Sequence, residues 1–226
     1  MNDAFEAALA DLDEQGFKER YGMWQPMSVS EVGRLFATTG VRWWIAGGRA
    51  ARLGAAARAH EDVDVVVSVE TVADARTALS RWHVWENNSG ALRPLFPGDA
   101  LSDECQQLWV RRTAHDPWVL DMLIDRSGDK WTYKFDPQVQ VEWDRAVLVS
   151  DGVPYLRPAL ALLHKAHLDR QKDRDDLACA VLGAEDRQWL VRTLERLGYH
   201  SWAQLASRPE PSDARVRRGE AEPPSH

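Results

Sequence analysis

The stretch Ala46–Val67, AGGRAARLGAAARAHEDVDVVV, decides how this chain is read. The residues before it, Val41–Ala46, form a compact apolar run that reads as a buried strand. Gly47 and Gly48 break that run, and Arg49 to Arg58 is Ala-rich and favours a helix. Asp62 to Ser68 then reads as a second strand of β-branched residues. Side chains alternate faces along a strand, so Asp62 and Asp64 project to one side while Val63 and Val65 face a core. Two carboxylates held a few Å apart repel one another unless a positive group sits between them. Mg²⁺ suits that place, because it takes hard oxygen ligands and fills its octahedron with water and substrate phosphates. A D-x-D pair alone can equally be a solvated strand end. The glycine pair can be a tight turn, or a place where backbone N–H groups and a helix N-terminus meet a phosphate. Arg49, at the start of that helix, supplies a candidate cationic contact.

Farther along, Trp118–Asp125 reads WVLDMLID. An acid inside an apolar strand is costly to bury unless it is paired or bound to metal, which singles out Asp121 as the third carboxylate. Asp125, at the strand's end, reads as a solvated turn residue.

The remaining pattern supplies the frame. Residues 2–21 read as a surface helix, and Ser28 with Glu31 forms a capping box that opens a second one. Val69–Trp82 reads as a helix with Val72, Ala75, Leu79 and Trp82 inward. Strands are expected near 83–86, 91–95, 106–112, 118–124, 130–135, 139–142 and 146–149. Phe96–Glu104 is a polar loop whose Asp99, Asp103 and Glu104 are candidates for pairing with amines, or simply solvated. Three helices follow at 158–170, 173–181 and 185–197. The expectation is an α/β (α+β) fold with a mixed sheet flanked by helices and a helical C-terminal subdomain. It divides into an N-terminal extension (1–27), a catalytic domain (28–152), a helical subdomain (153–207) and a disordered tail (208–226), the last poor in apolar residues.

Composition narrows the function. A net charge of −7 argues against broad contact with a nucleic-acid backbone, although one basic pocket can sit on an acidic protein. Two cysteines, Cys105 and Cys179, at no short spacing suggest neither a disulfide framework nor a zinc site. No apolar stretch is long enough to cross a bilayer, and Met1–Lys18 lacks the pattern of a signal peptide, so a reducing cytoplasm is the expected compartment. The eleven tryptophans read mainly as core and surface packing.

Gly47-Gly48, thirteen residues, then Asp62-Val63-Asp64 resembles the signature of the polymerase-beta-like nucleotidyltransferase superfamily. The string W-W-I-A-G-G-x-A with R-x-H-E-D-V-D is similar to its aminoglycoside 2''-adenylyltransferase-like and lincosamide nucleotidyltransferase branch. So are Gly152–Pro158, Leu162–Ala166 and Arg170–Asp176. Arg49 and Ala159 depart from that branch, which often has an aromatic residue and a Glu there. The resemblance implies a nucleotidyltransferase fold, NTP (ATP) as co-substrate, and Mg²⁺ on Asp62 and Asp64. It gives Asp121 the part of third ligand or general base. Lys165 and Lys172 become candidate phosphate contacts, or otherwise a solvated helix face laced with i,i+4 pairs that includes Asp173 and Asp176. It implies a small-molecule acceptor, with an aminoglycoside-like antibiotic foremost. The alternatives are a toxin–antitoxin enzyme acting on tRNA or a partner protein, and an inactive relative serving as a binding module.

Overall fold

The computed structural model describes residues 14–55 and 63–208. Asp62, Arg58, His60, most of the N-terminal helix and the expected disordered tail, Arg208 excepted, lie outside the described residues. Two helices, α1 (Glu14–Tyr21) and α2 (Val29–Phe36), precede strand β1 (Trp43–Ile45). The capping box forms as expected: the Ser28 hydroxyl accepts from the Glu31 amide, and the Ser28 amide donates to the Glu31 carboxylate.

Helix α3 (Gly47–Ala51) begins directly at the glycine pair and lasts only five residues. The helix expected over 49–58 therefore does not extend through the described part of that segment. Arg52–Gly54 turn instead, with Gly54 at φ +84°, a backbone state that stops a helix whatever the alanine content. Strand β2 (Asp64–Ser68) follows, then a 3₁₀ turn and α4 (Val72–Ala78). That pair is shorter than the single helix expected to Trp82.

Strands β3 (His83–Asn88) and β4 (Ala91–Leu95) form a hairpin across Ser89-Gly90, both at positive φ, as a two-residue turn demands. Strands β5 (Gln107–Arg111) and β6 (Trp118–Asp125) form a second hairpin. A small sheet of β7 (Lys130–Thr132) and β8 (Gln140–Glu142) comes next, followed by α5 (Trp143–Ala146) and β9 (Val147–Ser150). Strand β10 (Val153–Leu156) was hidden in the sequence by Pro154. The break between sheet and helices falls after it, where α6 (Pro158–Leu168), α7 (Gln171–Cys179), α8 (Ala184–Arg196) and an unanticipated α9 (His200–Ala206) complete the described chain.

Eight strands make one mixed sheet in the order β4-β3-β5-β6-β2-β1-β10-β9. The fold is thus α+β, a mixed sheet with helices on both faces and a helical C-terminal end. One face, carrying Ile45, Val65, Val67, Leu120 and Met122, packs with Val32, Phe36, Val72 and Leu79 of α2 and α4. The other meets the C-terminal helices through Trp44, Val66 and Leu156, against Leu160, Leu163 and Leu177. Ala50 and Ala51 are fully buried, and their small side chains let α3 lie close against α6. A third cluster, Phe17, Tyr21, Trp24, Trp85, Trp109 and Trp118, seats α1 on the sheet. It absorbs six of the chain's many large aromatics into packing.

Candidate active site

Strands β2 and β6 are parallel neighbours, and their register places Asp64 directly beside Asp121. Adjacent strands lie about 4.8 Å apart and residues in register share a face, so both carboxylates rise from one row of the sheet. That face is the one covered by the C-terminal helices, because Val66 and Leu123, two residues on, pack there. The alternation of β6, with Leu120, Met122 and Ile124 buried between half-exposed Asp121, Leu123 and Asp125, follows from one side facing a core and the other a cleft.

Gly47 closes on this row. It stands at φ +59°, and a Cβ built on it would meet the Asp64 Oδ2 at 1.6 Å. No side chain fits there, so the glycine is required both for the backbone angle and for the approach of the carboxylate. The Ala46 amide donates to the Asp64 carbonyl at 2.9 Å, locking the glycine turn to the aspartate strand. At Gly47 the group that approaches closely is the Asp64 carboxylate, where the sequence reading places a phosphate. The five-residue helix behind it is too short to add much of a macrodipole.

Gly47 and Asp64 open onto a cavity of about 580 Å³ between the sheet and α6. Trp44, Leu123, Leu156 and Leu168 give it apolar walls, and Gln107, Asp125, Ser127 and Thr132 give polar ones. Arg126, Lys134, Lys165 and Arg170 add positive charge. Three tryptophan and tyrosine side chains, Trp44, Trp131 and Tyr133, reach this lining, but each is almost wholly buried and so serves as wall.

The other expected residues are distributed as follows. Lys165, on α6, is 8% exposed; it donates to Asp173 at 2.9 Å and pairs with Asp176 at 2.9 Å. Lys172 is exposed on α7 and does not line the cavity. Arg49 lies near Tyr155, whose phenol is raised by burial against the pull of that guanidinium, and is likewise outside the cavity lining. Gly48 continues α3 behind Gly47. Asp99 caps a turn by accepting from the Phe96 amide at 2.9 Å, while Asp103 and Glu104 are exposed, and none of the three faces the cavity.

Two expectations are corrected. Asp173 and Asp176 are not on a solvated face: both are fully buried. Burial pushes the Asp173 carboxyl up, but hydrogen bonds from Arg170 and Lys165 hold it below its ordinary value. Asp125 is not a solvated turn residue either. It lines the cavity, accepts from the Ser127 amide at 2.9 Å and hydroxyl at 3.0 Å, and burial raises its carboxyl despite those bonds. Beside Lys165, His164 is enclosed by the rings of Trp131 and Tyr133 at 5.6 and 5.1 Å, and burial lowers it to about 4, helped by Lys134 and His167. Its i−1 place next to Lys165 was the only sequence signal it carried.

Asp64 and Asp121 are hard oxygen donors side by side, a pair that fits Mg²⁺ in chemistry. Among the described residues no three His, Cys, Asp or Glu side chains gather into a metal cluster, and Asp62 lies outside that set. Nor is any described helix long and apolar enough to cross a membrane.

No protein-family model matches the chain, and no curated protein does. Among solved structures, the antibiotic-resistance factor ANT(2'')-Ia, whose solution structure reveals substrate-regulated conformation dynamics, aligns with 78% of this chain and 95% of its own. The identity is 18% and the TM-score 0.42. At those values the likeness leaves activity and substrate to be read from the chain itself.

Proposed function

We propose that the chain is a Mg²⁺-dependent nucleotidyltransferase, moving a nucleoside monophosphate, AMP foremost, from an NTP to a hydroxyl of a small-molecule acceptor. One observation carries this reading. Two aspartates from strands distant in sequence stand in register, and one of them, Asp64, with Gly47 pressed onto it, borders a cavity with a cationic wall. A purely structural acid pair would have no need of an adjoining glycine at positive φ or of an opening.

In this reading Asp64 and Asp121, with Asp62, would hold the metal. When bound, the metal neutralises charge on the triphosphate and on the leaving pyrophosphate. The chain's own part is positioning. The glycine turn keeps side chains away from the phosphates, Lys165 and Arg170 offer positive charge from the opposite wall, and Trp44 and Trp131 exclude water. Asp121 accepts the acceptor's proton if the hydroxyl comes within hydrogen-bond reach, or else completes the metal site. Gly48, Arg49 and Lys172 would act on the nucleotide only after a movement that brings them to the cavity. The acceptor read from the sequence resemblance is an aminoglycoside-like antibiotic in a cytoplasmic setting. A tRNA or protein acceptor is the second reading, opposed by the chain's acidic balance.

Incubation with Mg²⁺, each NTP and a panel of aminoglycosides, lincosamides and tRNA, followed by pyrophosphate release, tests it. Asp64→Ala and Asp121→Asn are expected to lower transfer by at least about a hundredfold, the scale of losing one charge-stabilising group, with the fold intact. Normal turnover in folded Asp64→Ala protein would sink the proposal.

A further inference from the structure

Strand β6 brings to the cavity one acid more than the proposed metal site uses. Leu123 and Asp125 share a face of the strand with Asp121, and both line the cavity that Asp64 borders. The register sets Asp125 beside Ser68 of β2, four residues on from the Asp64–Asp121 pair. At the rise of a strand, that places Asp125 roughly 13 Å from the pair. The Ser127 amide and hydroxyl donate to the two oxygens of Asp125 at 2.9 and 3.0 Å, and the same hydroxyl accepts from the Thr132 amide at 3.2 Å. The turn after β6 is thereby pinned to β7, with the carboxylate fixed at the cavity wall. An ionised carboxylate has about four acceptor sites, and Ser127 fills two of them. The neighbouring cations are turned elsewhere. Arg126 donates to the Cys105 carbonyl at 3.1 Å, while Arg42 pairs with Glu70 at 3.8 Å and lies over the Trp143 ring at 4.1 Å. Burial raises the Asp125 carboxyl despite the Ser127 bonds and the pull of Arg42, as befits a charged acid short of a close counterion.

The geometry points to Asp125 as the acceptor's second anchor, a carboxylate that takes an ammonium group roughly 13 Å from the Asp64–Asp121 pair. The inference rests on the proposed function and specifies its substrate: a polyhydroxyl amine that presents its hydroxyl at the pair and a protonated amine at Asp125. A single sugar ring is too short to reach both, so the acceptor carries linked rings. A triphosphate is turned away from this end by the sign of its own charge, and Lys165 and Arg170 draw it to the helix side. Hydroxyl groups alone could occupy the open acceptor sites of Asp125 but would leave its charge unmatched. An ammonium does both, and the pair gains more at a cavity wall than on an open surface. Between the two anchors, Leu123 and, opposite it in register, Gln107 offer the body of the ligand an apolar contact and an amide.

The test measures binding to the full chain by calorimetry, without metal or nucleotide, of two probes. One is kanamycin, an aminoglycoside of linked rings; the other is the same compound acetylated on every amine, which keeps the rings and hydroxyls and loses the charge. The parent chain is expected to bind kanamycin at least about tenfold more tightly than the acetylated compound, the scale of one charge-assisted hydrogen bond. Asp125→Asn keeps the shape of the side chain and an oxygen for the Ser127 amide, and is expected to erase most of that preference. Near-ultraviolet circular dichroism reports whether the variant is folded. Should it not fold, Asp125→Ser, whose hydroxyl can cap the same turn, takes its place under the same criterion. Folded Asp125→Asn protein that binds kanamycin within twofold of the parent overturns the proposal, as does a parent chain without the preference. A parallel titration with Mg²⁺ and ATP is expected to give the same affinity in both proteins; a matching loss there would assign the carboxylate to the nucleotide and overturn the anchor as well. Kanamycin binding that depends on Asp125, with no nucleotidyl transfer to any acceptor, would leave the anchor standing and remove the enzymatic reading.

Discussion

Two places among the described residues bury carboxylates completely, and they are built differently. On the β3–β4 side, Glu86 has no exposed surface and is met from every direction: Arg93 at 2.8 Å, the Ser102 amide at 2.6 Å and the Ser102 hydroxyl at 3.2 Å. One acid faces one base, and the backbone of the 96–104 loop completes the shell. Across the sheet, Asp173 and Asp176 are equally buried, but they share the ammonium of Lys165, which borders a cavity. Burial of charge by itself says little about function, because an isolated buried ion must be paired wherever it sits. The informative difference lies in the setting: a loop closes over Glu86, whereas Lys165 lines a cavity.

The strongest way to break this contrast is at Glu86. Glu86→Ala leaves a buried loop amide without its acceptor and strands Arg93, so unfolding by denaturant should show a loss of about 3 kcal/mol. Transfer per folded molecule should be unchanged. A specific loss of activity in folded Glu86→Ala protein would mean that the balanced cluster is functional as well.

The next test addresses His164, which shares the cavity wall with Lys165. Its folded value, about 4, lies below the ordinary value of 6.5, so the unfolded chain binds the proton more readily between those limits. Stability is therefore complete above about pH 6.5 and falls as the pH drops toward 4, by roughly 3 kcal/mol in total. His164→Phe should flatten the midpoint of unfolding across this window relative to the parent chain. An equal slope in both proteins would assign the acid sensitivity to other groups.

The smallest effect is expected in the loop beside Glu86. Asp99→Ala removes one turn-capping bond to the Phe96 amide, worth about 1 kcal/mol, and should leave the acceptor's KM alone, as should Asp103→Ala. A rise in KM for a cationic acceptor would return these acids to the role of amine contacts considered from the sequence.

Much of the frame was legible in the chain because it follows from local pattern. The alternation in Trp118–Asp125, the β-branched run after Asp64 and the Ser28–Glu31 capping box each specify their own element. What escaped notice depended on partners distant in sequence. Pro154 disguised β10, which is held by β1 on one side and β9 on the other. The segment QKDRDDLAC reads as a solvated helix, since nothing within it discloses that Lys165 and Arg52 will arrive to bury its aspartates. The alanines after Arg49 promised a longer helix than Gly54 allows. At the site, Asp64 and Asp121 could each be singled out, but their adjacency is a property of strand register, which no single segment encodes.

That register has a consequence for how such a protein can change over generations. The excursion from Val69 to Pro117 leaves the row of aspartates and returns to it, carrying α4, two hairpin strands, a loop and β5. Because the backbone ladder between β2 and β6 sets the carboxylates side by side, the excursion can gain or lose residues in its loops at little entropic cost. Descendants are then free to redesign one rim of the molecule, and whatever it meets there, while inheriting the carboxylate pair intact.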